Sequence, residues 1–159
     1  MIGLLVSLAL AGSPTVVVQE DGSILATATV RAPVELARSR ISDPVWVART
    51  DASGTTVTVT GREGPCLLLD VVSASVVVDV HYATRHCPTA DGVASTLRSA
   101  DVFTAYSTSW KVTPEGTGSR LEYHFFMQTN MMLPQSFIVA TTQKGVRNLI
   151  ERVAAALDS

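Results

Sequence analysis

The segment Ser119-Arg-Leu-Glu-Tyr-His-Phe-Phe-Met-Gln128, followed by Pro134 and a long run to Asp158, decides how this chain is read. Leu121, Tyr123, Phe125 and Met127 alternate with Arg120, Glu122, His124, Phe126 and Gln128. A period of two marks a strand with one covered face. Beyond Pro134 the period changes. Ile138, Thr142, Gly145, Val146, Leu149, Val153, Ala156 and Leu157 recur at three- and four-residue steps. Gln143, Lys144, Arg147, Asn148, Glu151 and Arg152 fall between them. That spacing predicts a helix with an apolar stripe and a wetted face. Pro134 stands at the first turn, where a helix tolerates proline. About 25 residues at 1.5 Å each span roughly 37 Å, enough to cross a small domain. The segments upstream are mostly β-type, so this helix is the element that can close over a sheet.

Gly145 lies on the apolar stripe. A glycine inside a helix costs about 1 kcal/mol relative to alanine. Either it is simply tolerated, or its missing side chain brings the helix close to the sheet or leaves room for a ligand.

At 159 residues the chain is one domain with length enough for a core. Hydrophobic residues make up 47%, charged residues 16%, and the net charge is −2. This composition is globular rather than disordered. Lys and Arg do not cluster and no aromatic platform for bases is evident, so nucleic acid is not an expected partner. No run reaches the roughly 18 apolar residues of a bilayer span.

Met1–Leu10 is apolar, and Ala9-Leu10-Ala11 matches a small-x-small cleavage pattern. Residues 1–11 thus resemble a short secretory signal, although no Lys or Arg precedes the apolar run. Export, to a periplasm or to the outside, is the expectation. The alternative is an apolar first strand in a cytoplasmic protein. Residues 12–23 form a lead segment and 24–158 the domain proper.

Within that domain, Ile24–Arg31 alternates as a strand, after a short β-type piece at Val16–Val18. Pro33 opens a helix over Val34–Ile41, Ser42-Asp43-Pro44 breaks it, and a second helical turn carries Trp46. These helices form a compact cap at one end of a sheet. Thr55–Thr60, Cys66–Val72, Val76–Arg85, Ala94–Arg98, Val102–Val112 and Arg120–Gln128 read as further strands of a meander.

This order resembles the START-like superfamily, the helix-grip fold that includes the polyketide cyclase/dehydrase group. Local stretches agree. Val30-Arg31-Ala32-Pro33-Val34-Glu35 resembles a strand entering Ala-Pro and the first helix. Trp110 through the Gly-rich turn to Tyr123 resembles the penultimate hairpin, and Leu133-Pro134 the start of the lid helix. The resemblance covers Ile24 to Leu157. It implies an α+β fold: a curved antiparallel sheet of about seven strands wrapped around a long C-terminal helix, with two short helices after strand one. It also implies an internal cavity for a hydrophobic small molecule or lipid. It implies no particular reaction.

Parity then selects the wall of that cavity. Tyr82, Thr104, Tyr106, Thr108, Trp110, Tyr123, Phe125 and Met127 are the inward candidates from the strands. Ile138, Thr142 and Gly145 face them from the helix. On the strand Val76–Arg85, Val76, Val78, Val80, Tyr82 and Thr84 point inward, while Asp79, His81 and Arg85 point to solvent. His86 is read as the start of a loop. The inward face therefore offers tyrosines but no His, Asp or Glu, which argues against acid–base catalysis.

No Gly-x-Ser-x-Gly elbow is present, and Gly116-Thr117-Gly118 precedes a strand rather than a helix, so no phosphate loop or cofactor is expected. A metal is not expected either. In the family's sheet order His81 and His124 lie three strand gaps apart, roughly 14 Å, too far for common ligation. Cys66 and Cys87 are the two cysteines. Export and an even count favour a disulfide. A turn centred on Ala74 would place Cys66 opposite Tyr82 and leave Arg85–Cys87 to curl back.

Three functions stay open: binding or transport of a hydrophobic molecule, a cyclase/dehydratase-type enzyme on a polyketide-like or aromatic substrate, and a non-catalytic interaction domain with a filled cavity. An inward ionisable residue would favour the second. A cavity under about 300 Å³ would favour the third. Oligomeric state is not encoded in any feature above.

Overall fold

The computed structural model describes residues 13–74 and 79–159. The signal-like residues 1–11, and Val76 and Val78 of the inward set, lie outside the described residues. The elements run β1 Thr15–Val18, β2 Ile24–Val30, α1 Val34–Ile41, α2 Pro44–Asp51, β3 Thr56–Glu63, β4 Cys66–Ser73, β5 Val80–Pro88, β6 Gly92–Ala100, β7 Phe103–Glu115, β8 Gly118–Thr129 and α3 Gln135–Leu157. The strands form one antiparallel sheet in the order β1-β2-β8-β7-β6-β5-β4-β3. This is the helix-grip arrangement, with the lead segment supplying an eighth strand at the margin.

Local chemistry sets the boundaries. Asp43 caps α2 by accepting from the backbone N–H of Val45 at 3.0 Å and Trp46 at 3.2 Å, with Pro44 at the first helical position. Ala52, at φ 54°, ends that helix in the left-handed region. Gly118 is required by crowding: a Cβ there would stand 2.1 Å from the Val30 carbonyl oxygen.

The core lies between β2, β7, β8 and one stripe of α3. Ile24, Ala26, Ala28 and Val30 face inward from β2 and are buried, as are Val112 and Leu121. Val146, Ile150, Val153 and Leu157 are the buried residues of α3. Burial of each such Val, Ile or Leu contributes about 1.5–3 kcal/mol. Polar ties fix the helices to the sheet. Arg38 donates twice to the Val112 carbonyl, at 3.2 and 3.0 Å, joining α1 to β7. Asp158 Oδ1 accepts from the Arg31 N–H at 2.8 Å, tethering the end of α3 beside the end of β2. No buried residue of α3 precedes Val146, and Phe137, Ile138, Thr141 and Thr142 of its first half border an internal cavity.

Three details depart from the sequence reading. First, β5 continues to Pro88, so His86 belongs to the strand. Second, the β4–β5 register pairs Leu67 with His86 and Ser73 with Val80. Cys66 and Cys87 therefore fall opposite each other and form the disulfide, without any curling back. The connection between the strands is longer than a turn centred on Ala74. Third, the β7–β8 register slips between Phe103 and Ala105. That bulge turns Thr104 outward and brings Phe103 inward.

Candidate functional site: an aromatic-walled cavity

The sheet's concave face, α2 and α3 enclose a cavity of about 470 Å³. Ligand sites commonly measure about 300–1,000 Å³. Tyr82, Tyr106, Thr108, Trp110, Tyr123, Phe125, Met127, Ile138, Thr142 and Gly145 all line it. Thr104 is exposed and does not, because of the bulge. Phe103 takes its place. His81 is exposed on the other face of β5, and Asp79, which precedes that strand, is exposed as well.

The aromatic side chains form a continuous wall. Trp110 and Tyr123 meet at 4.5 Å between ring centroids, Tyr123 and Phe125 at 6.5 Å, and Phe125 and Tyr106 at 5.7 Å. Tyr106 then meets Tyr82 at 4.9 Å, and Tyr82 meets Phe103 at 5.2 Å. Edge-on and tilted contacts dominate, the geometry that ring quadrupoles favour. The wall follows from strand parity plus sheet order: β5, β7 and β8 present alternate residues to one side.

The tyrosine hydroxyls on this wall are held in their neutral form. The Tyr82 and Tyr106 hydroxyls are 3.5 Å apart. Burial, with the neighbouring Tyr106 second, holds the Tyr82 phenol well above its ordinary range. Burial raises Tyr106 and Tyr123 as well. All three are hydroxyl donors at neutral pH. Thr142 uses its own hydroxyl on the Ile138 carbonyl at 2.7 Å, leaving its methyl for the cavity.

His86 is the main residue that sequence reasoning missed. It is buried and lines the cavity. The alternation Val80, Tyr82, Thr84, extended by one step past Arg85, reaches it. Its Nδ1 lies 2.8 Å from the Ser95 hydroxyl and its Nε2 3.4 Å from the Ser42 carbonyl. A carbonyl only accepts, so Nε2 carries the hydrogen and Nδ1 accepts from Ser95. Burial lowers the His86 pKa, against smaller raising effects from the Ser42 carbonyl and Asp43. At neutral pH the ring is thus neutral, with both nitrogens engaged. Among the described residues, Asp51 and Arg152 are the charged side chains on the lining.

The mouth is found where lining residues are also exposed. Ala52, Ser53 and Ala74 form one bank. Phe137, Thr141, Gly145, Asn148 and Arg152, on successive turns of α3, form the other. The short helix α2 is therefore part of the cavity wall, not only a cap at the sheet's end. Among the described residues, no three His, Cys, Asp or Glu side chains gather as metal ligands. Among the same residues, no helix is long and apolar enough to cross a membrane.

Several solved structures share this architecture. A START superfamily protein from Mycobacterium smegmatis superposes with a TM-score of 0.75 at 15% identity, covering 85% of this chain and 96% of that one. TTHA0849 from Thermus thermophilus gives 0.76 at 16% identity, covering 85% and 96%. The Zhui aromatase/cyclase from Streptomyces sp. R1128 gives 0.74 at 14% identity, covering 85% and 92%. At these identities the likeness is one of fold. No curated protein matches the chain significantly. Over residues 22–159, from the turn before β2 to the C-terminus, the sequence matches the family model described as polyketide cyclase / dehydrase and lipid transport, and the chain belongs to that family.

Proposed function

We propose that the cavity binds an apolar or weakly polar small molecule, with lipids among the candidates, and holds it without transforming it. The observation that carries this reading is the wall itself. A continuous run of six aromatic rings offers neutral hydroxyls and a neutral histidine whose two nitrogens are both engaged. Such a surface favours desolvated, uncharged guests. A cavity of about 470 Å³ also counts against an interaction domain whose interior is filled.

One observation favours a second reading, a cyclase/dehydratase. His86 faces the cavity, and an acid–base enzyme needs an ionisable group there. Displacing the Ser95 hydroxyl from Nδ1 would free a base. Native mass spectrometry of protein purified from its own compartment, then denaturing extraction, tests the first reading. A stoichiometric apolar guest recovered unchanged supports binding. Recovery of a substrate–product pair, abolished in His86→Gln, supports the enzyme instead.

Export is part of the same proposal. The Cys66–Cys87 bond suits an oxidising compartment, and the Ala9-Leu10-Ala11 pattern suits cleavage. N-terminal sequencing and thiol labelling of the native protein test it; an intact Met1 with two free thiols argues against it.

A further inference from the structure

Gly145 stands on the bank of the mouth, midway between Phe137 and Arg152 along α3. Helices avoid glycine, because its backbone has the most freedom to lose. The ordinary reasons for keeping one are missing here. Its φ is not in the left-handed region. Nor does the helix come close to a neighbour: beyond the adjoining backbone of α3 itself, a Cβ built on Gly145 meets no atom of the described residues within 4 Å. The contrast with Gly92 and Gly118 is plain, since a Cβ at either would collide with backbone oxygen at 1.8 or 2.1 Å. The absent side chain at 145 leaves space that belongs to the cavity and its opening.

We infer that Gly145 sets the clearance of the mouth between α3 and the bank at Ala52 and Ala74, and so governs how fast a guest passes in and out. This inference rests on the reading of the cavity as a binding site. A side chain at 145 narrows the passage without touching the aromatic wall. Passage then slows in both directions while affinity stays nearly constant. A residue that merely contacts the guest behaves differently, changing the dissociation rate alone.

The experiment is stopped-flow binding of Nile red, an apolar fluorescent dye, to the wild-type chain and to Gly145→Ala, Gly145→Leu and Ala140→Leu. Ala140 is exposed on α3 but does not line the cavity, so it controls for a bulky residue on the helix. Gly145→Leu is expected to slow association and dissociation together by about tenfold, with Kd held within about twofold. Gly145→Ala should slow both by a smaller factor and, as a better helix former, melt no lower than wild type. It thereby keeps the test alive if the leucine variant folds poorly. Ala140→Leu should match wild type. Equal rates in wild type and both Gly145 variants overturn the inference while leaving the binding site intact. So does a faster dissociation with unchanged association. A wild-type chain that takes up no dye overturns the cavity reading and this inference together.

Discussion

Two stripes of α3, one residue out of phase, face different worlds. Val146, Ile150, Val153 and Leu157 are buried in the core, and of the four Val146 alone also borders the cavity. Phe137, Thr141, Gly145, Asn148 and Arg152 line the cavity yet meet solvent. One residue turns a helix by about 100°, so the stripes lie a quarter-turn apart. The first consists of branched aliphatics, which pack densely. The second mixes an aromatic ring, hydroxyl, amide, cation and no side chain at all. A long helix therefore needs only one stripe to hold it, which leaves the other free to be shaped by what passes through the mouth.

That contrast can be broken deliberately. The largest effect is expected from Ile150→Ala, on the buried stripe. It should cost about 4 kcal/mol in urea denaturation, since the residue is fully buried and its site can collapse only partly. An unchanged midpoint would mean that another element holds α3. Removing the disulfide in a Cys66→Ser, Cys87→Ser double variant comes next. Its sequence separation of 21 residues corresponds to about 3 kcal/mol of unfolded-state entropy. Dye binding should persist in that variant under conditions where it remains folded.

A smaller difference should depend on pH. The folded chain holds His86 neutral by burial, so its pKa lies below the unfolded value of about 6.5. Below that value the unfolded chain binds more protons than the folded one. Stability should therefore fall as pH drops through about 6.5 and on through the lower folded pKa, and be fully present above. Denaturation midpoints of wild type and His86→Gln, compared across this range, should converge in acid. Parallel curves would show that another group sets the slope. Smallest of all is Phe137→Ser on the mouth stripe, where stability should change by no more than about 0.5 kcal/mol. Nile red affinity should nonetheless weaken, because the ring is 43% exposed and faces the passage.

Much of this architecture is legible in residue order. The alternation from Leu121 to Met127 and the stripe from Ile138 to Leu157 are period signals, and covered faces leave such signals. The features that escaped are backbone events with no compositional mark. The slip between Phe103 and Ala105 swaps which neighbour faces inward, yet Phe103 and Thr104 are both ordinary strand residues. His86, Cys87 and Pro88 look like a loop by residue type, but pairing with Val93, Ala94 and Ser95 keeps them in the ladder. The register that brings Cys66 to Cys87 depends on the length of a connection, which parity cannot supply. The cavity's share of α2 required a third dimension, since Val47, Ala48 and Asp51 reach the wall only after the helix docks.

The margins of the sheet have a consequence for how molecules of this protein meet one another. An open strand edge is a template on which a second chain can add ladder hydrogen bonds. Among the described residues one margin is β1, only four residues long. The other is β3, whose pairing slips between Val59 and Gly61 and which ends in the charged pair Arg62 and Glu63. A brief edge and a kinked, charged one are both poor seeds for growth, although Val17 and Val59 are exposed there. The same irregularity that makes β3 look like a flaw in the sheet guards concentrated solutions of the folded chain against strand-by-strand aggregation.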